Sequence, residues 1–171
     1  IATQNPIEQE GTYRLPEAQL DRFLFKIIID YPNLEEEISI LQREHSREEL
    51  SKLDEVKNIL SPYDLIKFQN LTKKIIIEEK LIEYIAKIVL NTRNNTFLFL
   101  GASPRASLAI LNASKGFAAL DGRDFVTPED IKEAAIPVLQ HRIVVNPERE
   151  MEGITAPEVI HQIIETLDIP R

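Results

Sequence analysis

The feature that most constrains this chain is a helix-start grammar that recurs along it. Ser61-Pro62-Tyr63-Asp64, Thr127-Pro128-Glu129-Asp130 and Thr155-Ala156-Pro157-Glu158 each combine a hydroxyl N-cap, an early proline and a carboxylate in the first turn. The hydroxyl accepts from a free backbone N–H, the proline gives up an N–H that a helix leaves unpaired anyway, and the carboxylate faces the positive end of the dipole. Ser103-Pro104 shares the first two elements, and Asn33 precedes Glu35, Glu36 and Glu37. Ser46 is expected to cap a further helix. Apolar residues follow at helical spacing: Ile38, Ile40 and Leu41; Leu65, Ile66, Phe68 and Leu71; Leu81, Ile82, Ile85, Ala86, Ile88 and Val89 up to Asn94-Asn95; Leu108, Leu111, Ala118 and Ala119; Val159, Ile160, Ile163, Ile164 and Leu167. The predicted fold is mostly α, a helical bundle.

The first thirty residues have another texture. A polar stretch leads through Leu15–Phe23, read as a short helix, into the apolar run Phe23–Ile29, broken only by Lys26. That run is expected to be a buried strand ending at Asp30-Tyr31-Pro32, because proline continues neither helix nor ladder. Residues 1–32 and 33–171 are thereby separated. Two short apolar pieces, Phe125-Val126 and Ile143-Val144-Val145, are expected to pair as a small hairpin-like element.

Composition excludes several chemistries. There is no cysteine, so no disulfide, thiolate metal site or thiol nucleophile. His45, His141 and His161 are too far apart for a local metal motif. The five glycines nowhere form Gly-x-x-x-x-Gly-Lys-Ser/Thr, and the apolar run ends in Asp30-Tyr31 rather than Asp-Glu. These residues alone therefore lack a phosphate loop and a magnesium-holding acid pair, and are not expected to hydrolyse a nucleotide. A net charge of −8 disfavours a general polyanion binder, and no apolar run is long enough to span a bilayer. A cytoplasmic protein is expected. The chain opens on Ile1 and holds its one methionine at Met151, which reads as a piece of a longer product.

Three polar features stand out. In Ala2-Thr3-Gln4-Asn5-Pro6, Asn5 sits at a strand end where an amide can orient a water; an Asx turn explains the same residues. In Leu15–Phe23, Arg22 stands at the junction between short helix and strand, where a rigid edge suits insertion into a neighbour's phosphate site; a pair with Asp21 or Glu17 is the plainer fate. In Gly101-Ala102-Ser103-Pro104-Arg105-Ala106, Arg105 is a cation in a first helical turn, misplaced by about 0.3–1 kcal/mol unless an anion joins it and the free amides. Solvation, or a pair with Glu129, accounts for it equally well.

In this order the segments resemble the C-terminal half of a MoxR-type AAA+ ATPase. The resemblance rests on Ala-Thr-Gln-Asn-Pro at 2–6, Glu-Gly-Thr-Tyr at 10–13, Leu-Pro-Glu-Ala-Gln-Leu-Asp-Arg-Phe at 15–23, Gly-Ala-Ser-Pro-Arg-Ala at 101–106, Gly-Arg-Asp-Phe-Val-Thr-Pro-Glu-Asp at 122–130 and Leu-Gln-His-Arg at 139–142. It is weakest over Arg43–Ile77. It implies a helical AAA+ lid preceded by a remnant, strand plus short helix, of the α/β core over 1–32, with linker helices and lid over 33–171. It also implies that Asn5 is sensor 1, Arg22 the arginine finger and Arg105 sensor 2. Arg14 departs from the proline usual before Leu-Pro-Glu-Ala-Gln. The implied parent is a ring-forming ATPase with chaperone-like remodelling activity that uses ATP and Mg2+, with von Willebrand factor A domain proteins as possible partners and neither nucleic acid nor membrane insertion; its Walker A and B elements are expected upstream of Ile1. The competing reading is a stand-alone helical protein-interaction module. A nucleic-acid-binding domain ranks last, lacking a basic face.

Overall fold

A computed structural model describes residues 1–3, 15–46 and 56–170. The chain divides into two compact units, one of Ile1–Lys26 with Thr72–Arg171 and one of Ile27–Leu71. The described elements are α1 (Glu17–Leu20), α2 (Leu34–His45), α3 (Pro62–Lys73), α4 (Glu79–Arg93), β1 (Leu98–Leu100), α5 (Pro104–Leu120), α6 (Pro128–Leu139), β2 (Val144–Val145), α7 (Pro147–Met151) and α8 (Ala156–Thr166). The mostly helical expectation holds.

The start signals act as read. Asn33 Oδ1 accepts from the Glu36 N–H at 3.0 Å while the Glu36 carboxylate accepts from the Asn33 N–H at 2.9 Å. The Asp64 carboxylate takes the Ser61 N–H at 2.9 Å, Asp130 takes the Thr127 N–H at 2.7 Å and Glu158 takes the Thr155 N–H at 2.7 Å. Ser46 closes α2, its hydroxyl donating to the Gln42 carbonyl, and the further helix it is expected to cap falls on residues 47–55, which lie outside the described residues.

In the first unit α4, α5, α6 and α8 share one core, with α5 laid most extensively on α6. Tyr84, Ile88, Ile110, Ile131, Leu139 and Ile160 are its largest fully buried side chains, each aliphatic one worth about 1.5–3 kcal/mol of burial. Three residues expected to face inward, Ile82, Ala86 and Leu108, are exposed, while Tyr84 and Thr92 join the buried stripe of α4. The small strands are not the expected pair. β2 pairs antiparallel with β1, Leu98 opposite Val145 and Leu100 opposite Val144, and Phe125 instead bridges Ile76. Phe97–Leu100 outcompetes Phe125 because it leaves α4 directly beside the chain that leaves α6.

The buried strand expected over Phe23–Ile29 does not form. The segment is irregular, and Ile27 and Ile29 are 75% and 89% exposed. A strand needs neighbours to take its N–H and C=O groups, and none of the described residues supplies a ladder here. Residues 1–3 carry no strand for the same reason. In the second unit α2 buries no residue, and its Leu34, Ile38 and Leu41 are exposed.

Candidate functional site

The site grows from the junction of α4, β1 and α5. Gly101 is required there: a Cβ would stand 2.6 Å from both the Arg93 Cα and the Thr92 carbonyl, backbone atoms that cannot yield. This close approach lets the Ala102 N–H donate to buried Thr92 Oγ1 at 3.0 Å and Arg93 Nε donate to the Ala102 carbonyl at 2.8 Å. The next residue, Ser103, is thereby fixed as the N-cap of α5, with Pro104 in the first turn.

Arg105 follows, its side chain 56% exposed in a first turn without an acidic residue. Its partner is Asp21, not Glu129, at 3.4 Å from Nη1 to Oδ2. The first-turn amides expected to join it at an anion are already committed. Pro104 has none, the Arg105 N–H donates to Ser103 Oγ at 3.2 Å, and the Ala106 N–H donates to the Ser103 carbonyl at 3.0 Å. An arriving anion therefore meets the guanidinium rather than an open cluster of amides.

Asp21 is the hub of the site. It ends α1, and its carboxylate accepts from Ser103 Oγ at 2.9 Å, from Arg105, and from Arg142 Nε at 3.1 Å. Arg142 stands just past the end of α6, its side chain only 3% exposed. Its Nη1 donates to the Leu24 carbonyl at 3.1 Å and to the Val138 carbonyl, and its Nη2 donates to the Asp21 carbonyl at 3.2 Å and to the Phe23 carbonyl. The last turn of a helix leaves carbonyls unpaired and favours a cation, and both needs are met here. The Pro137 carbonyl likewise accepts from the Lys26 N–H at 2.9 Å. Burial pulls the Arg142 pKa down and the Asp21 carboxylate opposes this; an arginine stays charged in either case.

His141 Nε2 lies 3.0 Å from the Phe23 carbonyl, which requires a proton on that nitrogen, while Nδ1 is buried without a partner among the described residues. Burial first, then the Arg142 charge, lowers its pKa despite the bond to Phe23, and the ring is held neutral.

Arg22 lies within this framework. Its neighbours on both sides are tied down, yet its own side chain is exposed and pairs with neither Asp21 nor Glu17, nor with any other described residue. Arg22 thus follows in sequence the carboxylate that Arg105 pairs with, and both arginines belong to one unit. Asn5 and Arg14 lie outside the described residues. Asp21 and Arg142 are the residues that sequence reasoning missed. The available signal was Arg142 itself, a cation set between Val138-Leu139 and Ile143-Val144-Val145, where it must find acceptors.

Among the described residues no three carboxylates or imidazoles converge. The chemistry present suits a phosphate: an accessible guanidinium on a helix start, beside a carboxylate able to release it. Among the described residues, no helix is long and apolar enough to cross a membrane.

The site is thus a small helical domain with an arginine at the start of α5 and the segment 21–24 lashed to the end of α6. The AAA lid domain family matches residues 90–163, and the family of ATPases associated with various cellular activities matches residues 1–25. The chain is 39% identical over 170 residues to the uncharacterized protein YeaC of Bacillus subtilis, covering 99% of this chain and 52% of that protein. It is 38% identical over 180 residues to the chaperone MoxR1 of Mycobacterium tuberculosis, covering 100% of this chain and 46% of that one. A crystal structure from Cytophaga hutchinsonii, described as a candidate ATPase, matches with a TM-score of 0.87 at 38% identity, covering 98% of this chain and 53% of that one. The chain belongs to the MoxR-type AAA+ ATPases. It spans about half the length of the curated relatives it matches.

Proposed function

We propose that these residues form the C-terminal half of a ring-forming MoxR-like ATPase that couples ATP hydrolysis to chaperone-like remodelling or assembly of partner proteins. In this reading residues 1–32 complete the α/β core, residues 33–171 supply linker helices and lid, and the Walker A and B elements precede Ile1. The 171 residues alone would then be inactive. ATP with Mg2+ is the substrate of the whole protein, and a von Willebrand factor A domain protein is a candidate partner.

Each polar residue takes a role suited to its setting. Arg22 is the arginine finger, reaching into the next subunit's nucleotide site to offset charge that builds on the transferred phosphoryl group. Arg105 is sensor 2, contacting the phosphates held by its own subunit and exchanging its weak, half-exposed contact with Asp21 for them. Asn5 is sensor 1, orienting the attacking water. The observation that carries the reading is the contrast at residues 21–24: Arg22 is exposed and unpaired among the described residues, while the backbone around it is held by a buried arginine.

The test is Arg22→Ala in the full-length ATPase, with turnover and ATP affinity measured separately. A finger acts on the transition state more than on ground-state binding, so kcat should fall about a thousandfold or more with the ATP dissociation constant nearly unchanged. A large loss of ATP affinity, or wild-type turnover, contradicts the assignment.

A further inference from the structure

We infer that Arg142 is the positioning residue of Arg22 and that, with Asp21, it mounts the finger on the same rigid body as Arg105. This rests on the reading of Arg22 as a finger acting in trans.

A guanidinium has five N–H donors in a fixed fork, and at Arg142 all five find acceptors. Four of those acceptors belong to residues 21, 23 and 24: the Asp21 carboxylate and the carbonyls of Asp21, Phe23 and Leu24. They bracket Arg22 on both sides. The fifth, the Val138 carbonyl, belongs to the last turn of α6. A side chain 3% exposed therefore spends its whole donor set joining the finger's backbone to α6. Gln140 and His141 extend the seam, reaching the Lys26 and Phe23 carbonyls.

The same Asp21 carboxylate receives Ser103 and Arg105 from the start of α5, and α5 packs on α6. The residue preceding the finger thus touches both the sensor 2 arginine and the clamp. When Arg105 turns from Asp21 to a nucleotide phosphate, the change is made one residue from Arg22. Any movement of the α5–α6 body that follows nucleotide binding carries Arg22 with it. Nucleotide state in one subunit is in this way expressed in the placement of the finger it offers to the next. Lysine cannot substitute, since an ammonium has three donors and no planar fork.

The experiment is a mutant cycle in the full-length ATPase: Arg142→Lys and Asp21→Asn, each alone and combined with Arg22→Ala, reading kcat and ATP affinity. Misplacing a catalytic group by about 1 Å costs about a hundredfold, so each variant should lose about that much kcat without weaker ATP binding. On top of Arg22→Ala neither should cause further loss, because both act through the same side chain. Asp21→Asn keeps the side chain's shape but replaces the charged partner of Arg142 Nε with a neutral amide, so it weakens the clamp without opening a cavity and carries the test where Arg142→Lys does not fold. A folded variant with wild-type kcat overturns the inference, as does an equal loss in the Arg22→Ala background. Wild-type kcat in Arg22→Ala alone rejects the finger, and the inference with it; an inactive Arg22→Ala beside an active Arg142→Lys rejects only the mount.

Discussion

Arg123 and Asp130 are seven residues apart and close the turn between α5 and α6; Arg142 and Asp21 are 121 residues apart and join the α1 segment to the end of α6. The first pair is bidentate, at 2.8 and 2.6 Å, and Asp130 also takes the Thr127 N–H and hydroxyl as the capping carboxylate of α6. Gly122, at φ 72°, lets the chain double back so that the two can meet. All of this is local, and it fixes one corner of the helical unit. The second pair has one charge–charge contact and spreads its remaining donors over backbone carbonyls, so it fixes the path of another segment. A local pair staples a turn, whereas a remote pair transmits position from one part of the molecule to another.

The comparison can be broken by substitution. Arg142→Met should have the largest effect on stability, about 3–5 kcal/mol in denaturant unfolding of the 171-residue chain, because the Asp21 carboxylate and four carbonyls lose their buried partner. A loss under about 1 kcal/mol, the range of an exposed pair, would mean that the clamp is a surface contact. Asp130→Ala should cost about 2 kcal/mol through the lost cap and ion pair, while leaving kcat of the folded full-length protein unchanged. Reduced turnover there would give the local staple a role that the comparison denies it. Gly101→Ala should cost about 1–3 kcal/mol, since its methyl group meets immovable backbone, and should weaken ATP binding by displacing the α5 start.

The smallest effects depend on pH. Burial raises the Asp130 pKa, but the Arg123 guanidinium and the Thr127 N–H and hydroxyl outweigh it and hold the group below its ordinary value. Its contribution is therefore present above the unfolded pKa of about 3.9 and is lost as pH falls through the lower folded value. His141 is also lowered, but as a base: below about 6.5 the unfolded chain binds the proton that the folded chain refuses, so stability declines from there as pH falls. Thermal unfolding followed from pH 8 to pH 5 should show that decline in the wild type and a flatter profile in His141→Gln. Matching profiles would show that the seam beside Phe23 does not keep His141 neutral.

These contrasts also explain what was legible in the sequence. The starts of α2, α3, α5, α6 and α8 were readable because a cap, a proline and a carboxylate act on residues within one turn of themselves. Arg123–Asp130 belongs to the same short range. Phe23–Ile29 has the composition of a buried strand and forms none, because a strand is made by neighbours, which composition does not report. The spacing suggests only a local pairing of Asp21 with Arg22, and nothing in it reveals that residues 21, 105 and 142 meet. The pairing of β1 with β2 depended likewise on where α4 and α6 end. Roles for Asn5, Arg22 and Arg105 came from resemblance. The local physics of Arg105 showed an electrostatic misfit without deciding its partner.

The most direct measurement mixes two inactive full-length variants, Arg22→Ala and a Walker A lysine substitution, and follows ATP hydrolysis as their ratio changes. An Arg22→Ala subunit keeps its own nucleotide site, and a Walker-defective neighbour still offers a finger. Mixed rings should therefore recover part of the wild-type rate, with a maximum at intermediate ratios. Activity that stays at background at every ratio, with mixed assembly verified, would contradict a finger acting between subunits.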